Sequence, residues 1–344
     1  MSSLIQEQFI GFHDKIRLNL DDNKEVIEKR DMLIDEISAY LKKMCDEKKI
    51  KLIQFSVFNQ GSYAMGTGNK PAYDEDDYDI DCGLLFAIDK ENYTPIEVKQ
   101  WVFDALNITF REVQWKKACI RVQYVEEGLP RFHVDFACYS DDKEDGKIYL
   151  AKGTPTTLPQ NRKWEEAEPQ KLKNLINNRF SNAKESAQFK RVIRYLKRWK
   201  DYQFDSVNGK PTGISFTALA YNGFTPYTKD IFSSAENVDD LKATLEFVKY
   251  VLGQFNIWTG RIAVSLPVLP GNDLFEKMTD QQCINFKEKL GKLKVSIENA
   301  QAEVDPHEAC KFLRKQFGDD FPLPPKIATG QTRVKGVAGT SESA

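Results

Sequence analysis

Across residues 22–49 the apolar positions Val26, Leu33, Ile37, Tyr40 or Leu41, and Met44 recur at helical spacing, which predicts a long amphipathic helix. A shorter helix precedes it over about 4–12. The period then changes. KLIQFSVF (51–58) reads as a strand that ends before Gly61-Ser62, and DYDIDCGLLF (77–86) reads as a second. Alternation places Asp77, Asp79 and Asp81 on one face of that strand and Tyr78, Ile80 and Cys82 on the other. ACIRVQYV (118–125) and RFHVDFACYS (131–140) flank a turn at 126–130 and predict a β-hairpin. Residues 50–150 therefore form a mixed α/β unit.

The pattern changes near GTPTTLPQ (153–160), a crossing between two lobes. Beyond it helical patterns dominate: FKRVIRYLKRWK, SFTALAYNGF, DDLKATLEFVKYVLGQF and DQQCINFKEKLGKLKVSIENA. A last helix is predicted from Asp305-Pro306, an N-cap and first-turn pair, to Gly318, a residue suited to the position just past a helix end. Residues 326–344 hold no aromatic residue and no Leu, the composition of a flexible tail. No internal repeat is present. The expected fold class is α+β: a mixed-sheet lobe with a long N-terminal helix (1–160), then an all-helical lobe (161–325), then the tail (326–344).

Composition narrows the function classes. In 344 residues there are 22 Phe, 13 Tyr and 5 Trp, which excludes a disordered chain. Forty-nine Lys and Arg against 51 Asp and Glu leave a net charge of -2, which argues against a protein that coats nucleic acid through its phosphates. Six cysteines without CxxC spacing and three histidines argue against a zinc site or a disulfide framework. With no signal peptide and no apolar run long enough to span a bilayer, a cytoplasmic protein is expected.

The acidic cluster is the chemical signal. Three like charges at alternate positions of one strand repel, so a positive group should compensate them. A solvated strand edge is the plain reading. A calcium loop fails on register: counted from Asp77, position six is Cys82 where Gly is needed, and position twelve is Ile88 where Glu is needed. A magnesium-nucleotide site fits better. Carboxylates two apart on a strand point the same way, and Mg²⁺ takes a few carboxylates plus phosphate oxygens. Asp135 supplies a third carboxylate, alone in the apolar strand RFHVDFACY, with His133 and Ala137 on its face. Burying it has a desolvation cost that a metal ion offsets. Gly61-Ser62, at a strand-to-helix turn, would let the backbone approach a phosphate and add a hydroxyl.

Gly-Ser, then D-x-D, then a later Asp resembles the polymerase-β-like nucleotidyltransferase superfamily. Gln60-Gly61-Ser62, the long gap before the carboxylates, and a helical lobe with a Lys in IRYLKRW and a Ser opening SFTALAY resemble, more narrowly, the cGAS/DncV-like (CD-NTase) enzymes of bacterial anti-phage (CBASS) signalling, relatives of oligoadenylate synthetase. The resemblance covers about 20–320 through short motifs. It implies a magnesium-dependent nucleotidyltransferase that joins nucleoside triphosphates, ATP among them, into a cyclic di- or trinucleotide. Two Mg²⁺ ions, with Mn²⁺ as a substitute, would be held by Asp79, Asp81 and Asp135. Gln60, Gly61, Ser62, Lys197 and Ser215 would bind nucleotide.

DYDID contains two overlapping D-x-D pairs, Asp77/Asp79 and Asp79/Asp81. The second is preferred because Cys82-Gly83 follows it, as a small residue does in the family. Lys190, Arg191, Arg194, Lys197 and Arg198 share one side of a helix, which without a ligand reads as a solvated face. Asp273 is a further candidate for the cleft. Neither stable binding of polymeric nucleic acid nor a membrane is expected. The tail ending at Ala344 suits conjugation or a regulatory protein partner, since some members of the family are conjugated through such a C-terminus. Two other functions stay open: linear nucleotidyl transfer to RNA or a small molecule, and a non-catalytic nucleotide sensor.

Overall fold

Two helices lead the chain, α1 (Gln6–Ile16) and α2 (Lys24–Lys48). In α2 the stripe Val26, Leu33, Ile37, Leu41, Met44 and Cys45 is buried, so between the two residues left open by periodicity it is Leu41 that enters the core. The structure is a computed structural model that describes residues 4–18, 24–73, 78–108, 111–126, 129–142, 145–205, 209–228 and 237–326. Asp77 and the tail beyond Lys326 lie outside the described residues.

One seven-stranded mixed sheet follows: β1 (Phe55–Asn59), β2 (Tyr78–Phe86), β3 (Glu112–Trp115), β4 (Ile120–Glu126), β5 (Leu129–Asp142), β6 (Lys147–Lys152) and β7 (Lys163–Glu166). The spatial order is β1-β2-β5-β4-β3, with β6 pairing the far end of β5 and β7 pairing β6. The predicted hairpin is β4–β5, its pairing running on to Glu126↔Leu129. The central pair, β2 with β5, is parallel. Ile80, Cys82, Leu84 and Phe86 of β2 and Val134, Phe136 and Cys138 of β5 fill one face and pack with α2 and α4 (Pro95–Leu106) into one core. Strands β3, β6 and β7 are additions to the elements that the pattern predicts.

Lys99 of α4 is fully buried and donates to the carbonyls of Lys116, Lys117 and Gly153 at 2.6, 3.2 and 2.7 Å. Burial pushes its pKa down to about 8. It ties the turn before β4 to the end of β6.

The second core is helical: α5 (Pro169–Asn177), α6 (Ala183–Gln203), α7 (Gly213–Gly223), α8 (Asp240–Gly253), α9 (Asp280–Ala302) and α10 (Pro306–Phe317). The last begins at the expected Asp305 cap, which accepts from the His307 N–H, and ends at Gly318 with φ +78. Helix α1 joins this core rather than that of α2, because Phe9 packs against Tyr195 and Phe321, and Phe12 stacks on Tyr195 and packs against Phe317 and Phe321. Among the described residues no helix is long and apolar enough to cross a membrane.

A buried charge cluster fixes α6. Asp240 accepts two bonds from the Arg191 fork at 2.7 and 2.8 Å and one from Gln188 at 3.0 Å, and the Tyr195 hydroxyl lies 2.9 Å from it. Arg191 is thus a structural residue and not part of a solvated face. Removing one member of such a pair strands a buried charge. Arg191→Leu should cost about 3–5 kcal/mol in a urea unfolding titration, and adding Asp240→Asn should recover part of it. A loss below about 1 kcal/mol would show that the pair does not hold α6 in place.

Candidate active site

β1 ends at Asn59, and α3 (Gly61–Ala64) begins two residues later, after Gln60. The Gln60 N–H donates to the Asp81 carbonyl at 3.1 Å, so the turn is pinned to β2. Gly61 has φ +68, a conformation L side chains avoid. A Cβ there would fall 1.8 Å from the Asp81 carboxylate, so only Gly lets the turn lie against it. The Gln60 side chain accepts from the Tyr139 hydroxyl of β5 at 2.8 Å. Gly83 has a related reason: a Cβ would collide with the Phe58 ring, which lies over it beside Tyr139.

The carboxylates follow from strand register. Asp81 pairs with Asp135 across β2 and β5, and the backbone of Asp79 pairs with His133. The side chain of Asp79 lies outside what the structure describes. Alternation gives Asp81 and Asp135 the face opposite Ile80 and Val134, away from the core that these two fill. Asp135 is buried and well supplied with donors. Arg121, directly opposite on β4, grips both of its oxygens at 2.8 Å, and His133 Nε2 lies 4.0 Å from Oδ2. The Cys119 thiol also hydrogen-bonds Asp135; burial, then the Asp135 charge, pushes that thiol up, so it stays protonated. Among the described residues no three His, Cys, Asp or Glu form a ready metal cage. The donor set still fits a hard divalent cation: paired carboxylates on one face, one of which already binds a cationic group, Arg121.

Helix α6 packs against the chain that follows the Gly-Ser turn. Its basic side meets residues 66–70, just past the Gly-Ser turn, and donates to backbone. Lys197 Nζ lies 3.1 Å from both the carbonyl and the hydroxyl of Thr67. Arg194 Nε reaches the Gly68 carbonyl at 3.1 Å, and Arg198 reaches the Lys70 carbonyl at 3.0 Å. Thr67 in turn bonds the Ser62 carbonyl. Lys197 and Arg198 are buried, so the helix face read as solvated is an inter-lobe contact.

Burial is the main reason that three neighbouring groups shift, and nearby cations add to it. Burial, then Arg194 and Arg191, pushes His13 down to about 4. Burial, then Arg17, lowers Arg194 to about 10, and burial followed by Arg194 lowers Lys190.

The geometry thus gathers Gln60, Gly61, Ser62, Asp81 and Asp135 on the α/β side, with Lys197 joined to Ser62 through Thr67. Ser215 is placed differently: it is fully buried, and its hydroxyl donates to the Thr212 carbonyl at 2.7 Å. Its neighbour Gly213 packs on the Lys197 stem, so this turn backs the lysine. Asp273 is structural, since its Oδ1 accepts from the Val264 and Phe275 N–H groups at 3.0 Å each. Arg121 is the site residue that pattern reading missed. Its signal was its place opposite Asp135 once the hairpin is registered.

Residues 55–139 match the family model "Cyclic GMP-AMP synthase DncV-like, nucleotidyltransferase domain". A cyclic GMP-AMP synthase from Escherichia albertii is 25% identical over 199 residues, 54% of this chain, and the match spans 42% of that relative's length. The fold is similar to that of the Vibrio cholerae cyclic AMP-GMP synthase DncV, with TM-score 0.69 at 17% identity over 90% of this chain and 93% of that one. The same synthase in complex with a linear pppA(3′,5′)pG intermediate gives TM-score 0.69 at 16% identity over the same shares. The match to the DncV-like nucleotidyltransferase model is thus confined to residues 55–139, and the likeness to the solved synthases is one of fold.

Proposed function

We propose that this chain is a magnesium-dependent nucleotidyltransferase that joins nucleoside triphosphates, ATP among them, into a cyclic oligonucleotide messenger for bacterial anti-phage signalling. One observation carries the reading: Asp81 and Asp135 stand in register beside a Gly-Ser turn whose Ser62 carbonyl is bonded by Thr67, itself held by the buried Lys197 of α6. Residues 1–160 would supply the carboxylates and the turn, and 161–325 the cationic wall. A cyclic dinucleotide is the favoured product because the relatives are named as cyclic GMP-AMP synthases and one was captured with a linear dinucleotide.

Asp79, Asp81 and Asp135 would hold the divalent cations. Bound there, these ions would make a ribose hydroxyl more acidic and offset charge on the departing pyrophosphate. Asp135 Oδ would take the hydroxyl proton as the new O–P bond forms at the α-phosphorus of the donor and the bond to pyrophosphate breaks. Gly61 and Ser62 would seat the donor phosphates against backbone, and Lys197 would face them across the seam. Ser215, whose hydroxyl donates to the Thr212 carbonyl, would add a phosphate contact beside that lysine. A second transfer within the bound linear product would close the ring.

Incubation with Mg²⁺ and labelled NTPs, singly and in pairs, should yield phosphatase-resistant material, because a closed ring has no terminal phosphate. Products that all yield to phosphatase and lengthen with time would instead mark a linear transferase. No nucleotide turnover at all would favour a sensor.

The two walls should separate in binding titrations. Lys197→Ala removes a charge-assisted phosphate contact, so NTP affinity should weaken by about tenfold to a hundredfold with little change in Mg²⁺ dependence. Asp135→Asn keeps the side-chain shape, so NTP binding should persist while turnover collapses. NTP binding by Lys197→Ala equal to the parent's would place the phosphate wall elsewhere.

A further inference from the structure

Asp135 cannot present a bare carboxylate to an incoming metal ion. Arg121 Nε and Nη2 each donate to one of its oxygens at 2.8 Å, a forked, in-plane contact. The pair is well shielded: the side chains are 25% and 10% exposed. A guanidinium keeps its charge at every working pH, so protonation cannot release it. Only another cation can replace it without stranding the Asp135 charge. Sheet cohesion alone does not account for the pair, because the core face of β4 and β5 is already closed by Ile120, Val122, Val134 and Phe136. The Arg121 fork lies instead on the face shared with Asp81.

We propose that Arg121 is a positioning residue that reserves Asp135: it orients the carboxylate on the reacting face and competes with divalent metal for it. The proposal rests on the nucleotidyltransferase reading of this site. While Arg121 holds Asp135, the acceptor-activating position is not assembled. Metal entry there is an exchange, in which a divalent ion takes Asp135 and the guanidinium is displaced. Both states leave the buried carboxylate compensated.

The test is Mn²⁺ binding without nucleotide, read from the free-Mn²⁺ paramagnetic resonance signal, on the parent, Arg121→Gln, Arg121→Lys, Asp135→Asn and the Arg121→Gln/Asp135→Asn double variant. Arg121→Gln should bind Mn²⁺ about tenfold more tightly or better, the scale of losing one charge-assisted competitor. Arg121→Lys keeps the charge without the fork and should lie between. With Asp135→Asn in place, Arg121→Gln should add nothing. A purely structural role would lower the melting temperature and leave Mn²⁺ affinity unmoved. Equal or weaker Mn²⁺ binding by both Arg121 variants overturns the competition, whereas no saturable Mn²⁺ binding by any variant overturns the metal assignment with it. Because no nucleotide is present, the result is independent of which product the chain makes.

Discussion

The parallel pairing of β2 with β5 is the constraint on which the site depends. Side chains alternate with a period of two, so slipping β2 by one residue would turn Asp81 into the core and Ile80 out of it. Ile80 and Val134, paired and buried, make that slip costly, and the same pairing sets Asp81 against Asp135. The apolar half of each strand thereby fixes where the acidic half points. Neighbouring carboxylates repel, and the Arg121 fork and the Cys119 thiol beside Asp135 offset that cost.

The second lobe contributes through backbone. Lys197, Arg194 and Arg198 donate to the carbonyls of Thr67, Gly68 and Lys70, so one helix face follows the chain for one turn past Ser62. The arrangement needs α6 at a fixed depth and rotation, and the Asp240 cluster provides this from behind. Helix α1 completes the seam, since its last residue accepts from the Lys70 N–H and the next pairs with Asn69.

Much of this was legible because it is periodic. The α2 stripe, the alternation through β2 and the β4–β5 hairpin follow from local pattern, and the Asp305 and Gly318 signals mark the ends of α10. Three things were not. KIYLAK and KWEE are too short and mixed to stand out as strands, and they form by pairing with β5 and each other. Parallel partnership between β2 and β5 is long-range and leaves no local mark. Charges in α6 look alike in sequence, yet Arg191 meets Asp240 while Lys197 meets Thr67, a difference set by which element packs against each turn.

Gly61 explains why turn and carboxylate act as one unit. Its left-handed backbone puts the chain where any side chain would overlap Asp81, and the Gln60 N–H holds that approach from the β2 side. The Gln60 amide then reaches Tyr139, two strand turns along β5 from Asp135. The Gly-Ser turn, Asp81 and Asp135 therefore share one rigid frame, and Lys197 is joined to it through Thr67 and the Ser62 carbonyl. Changing Asp81 alters charge on a frame that Gln60 and Tyr139 still hold. Adding a side chain at Gly61 displaces both the carboxylate and the backbone against which a phosphate would lie, so the smallest residue in the motif is the one whose replacement disturbs most of the site.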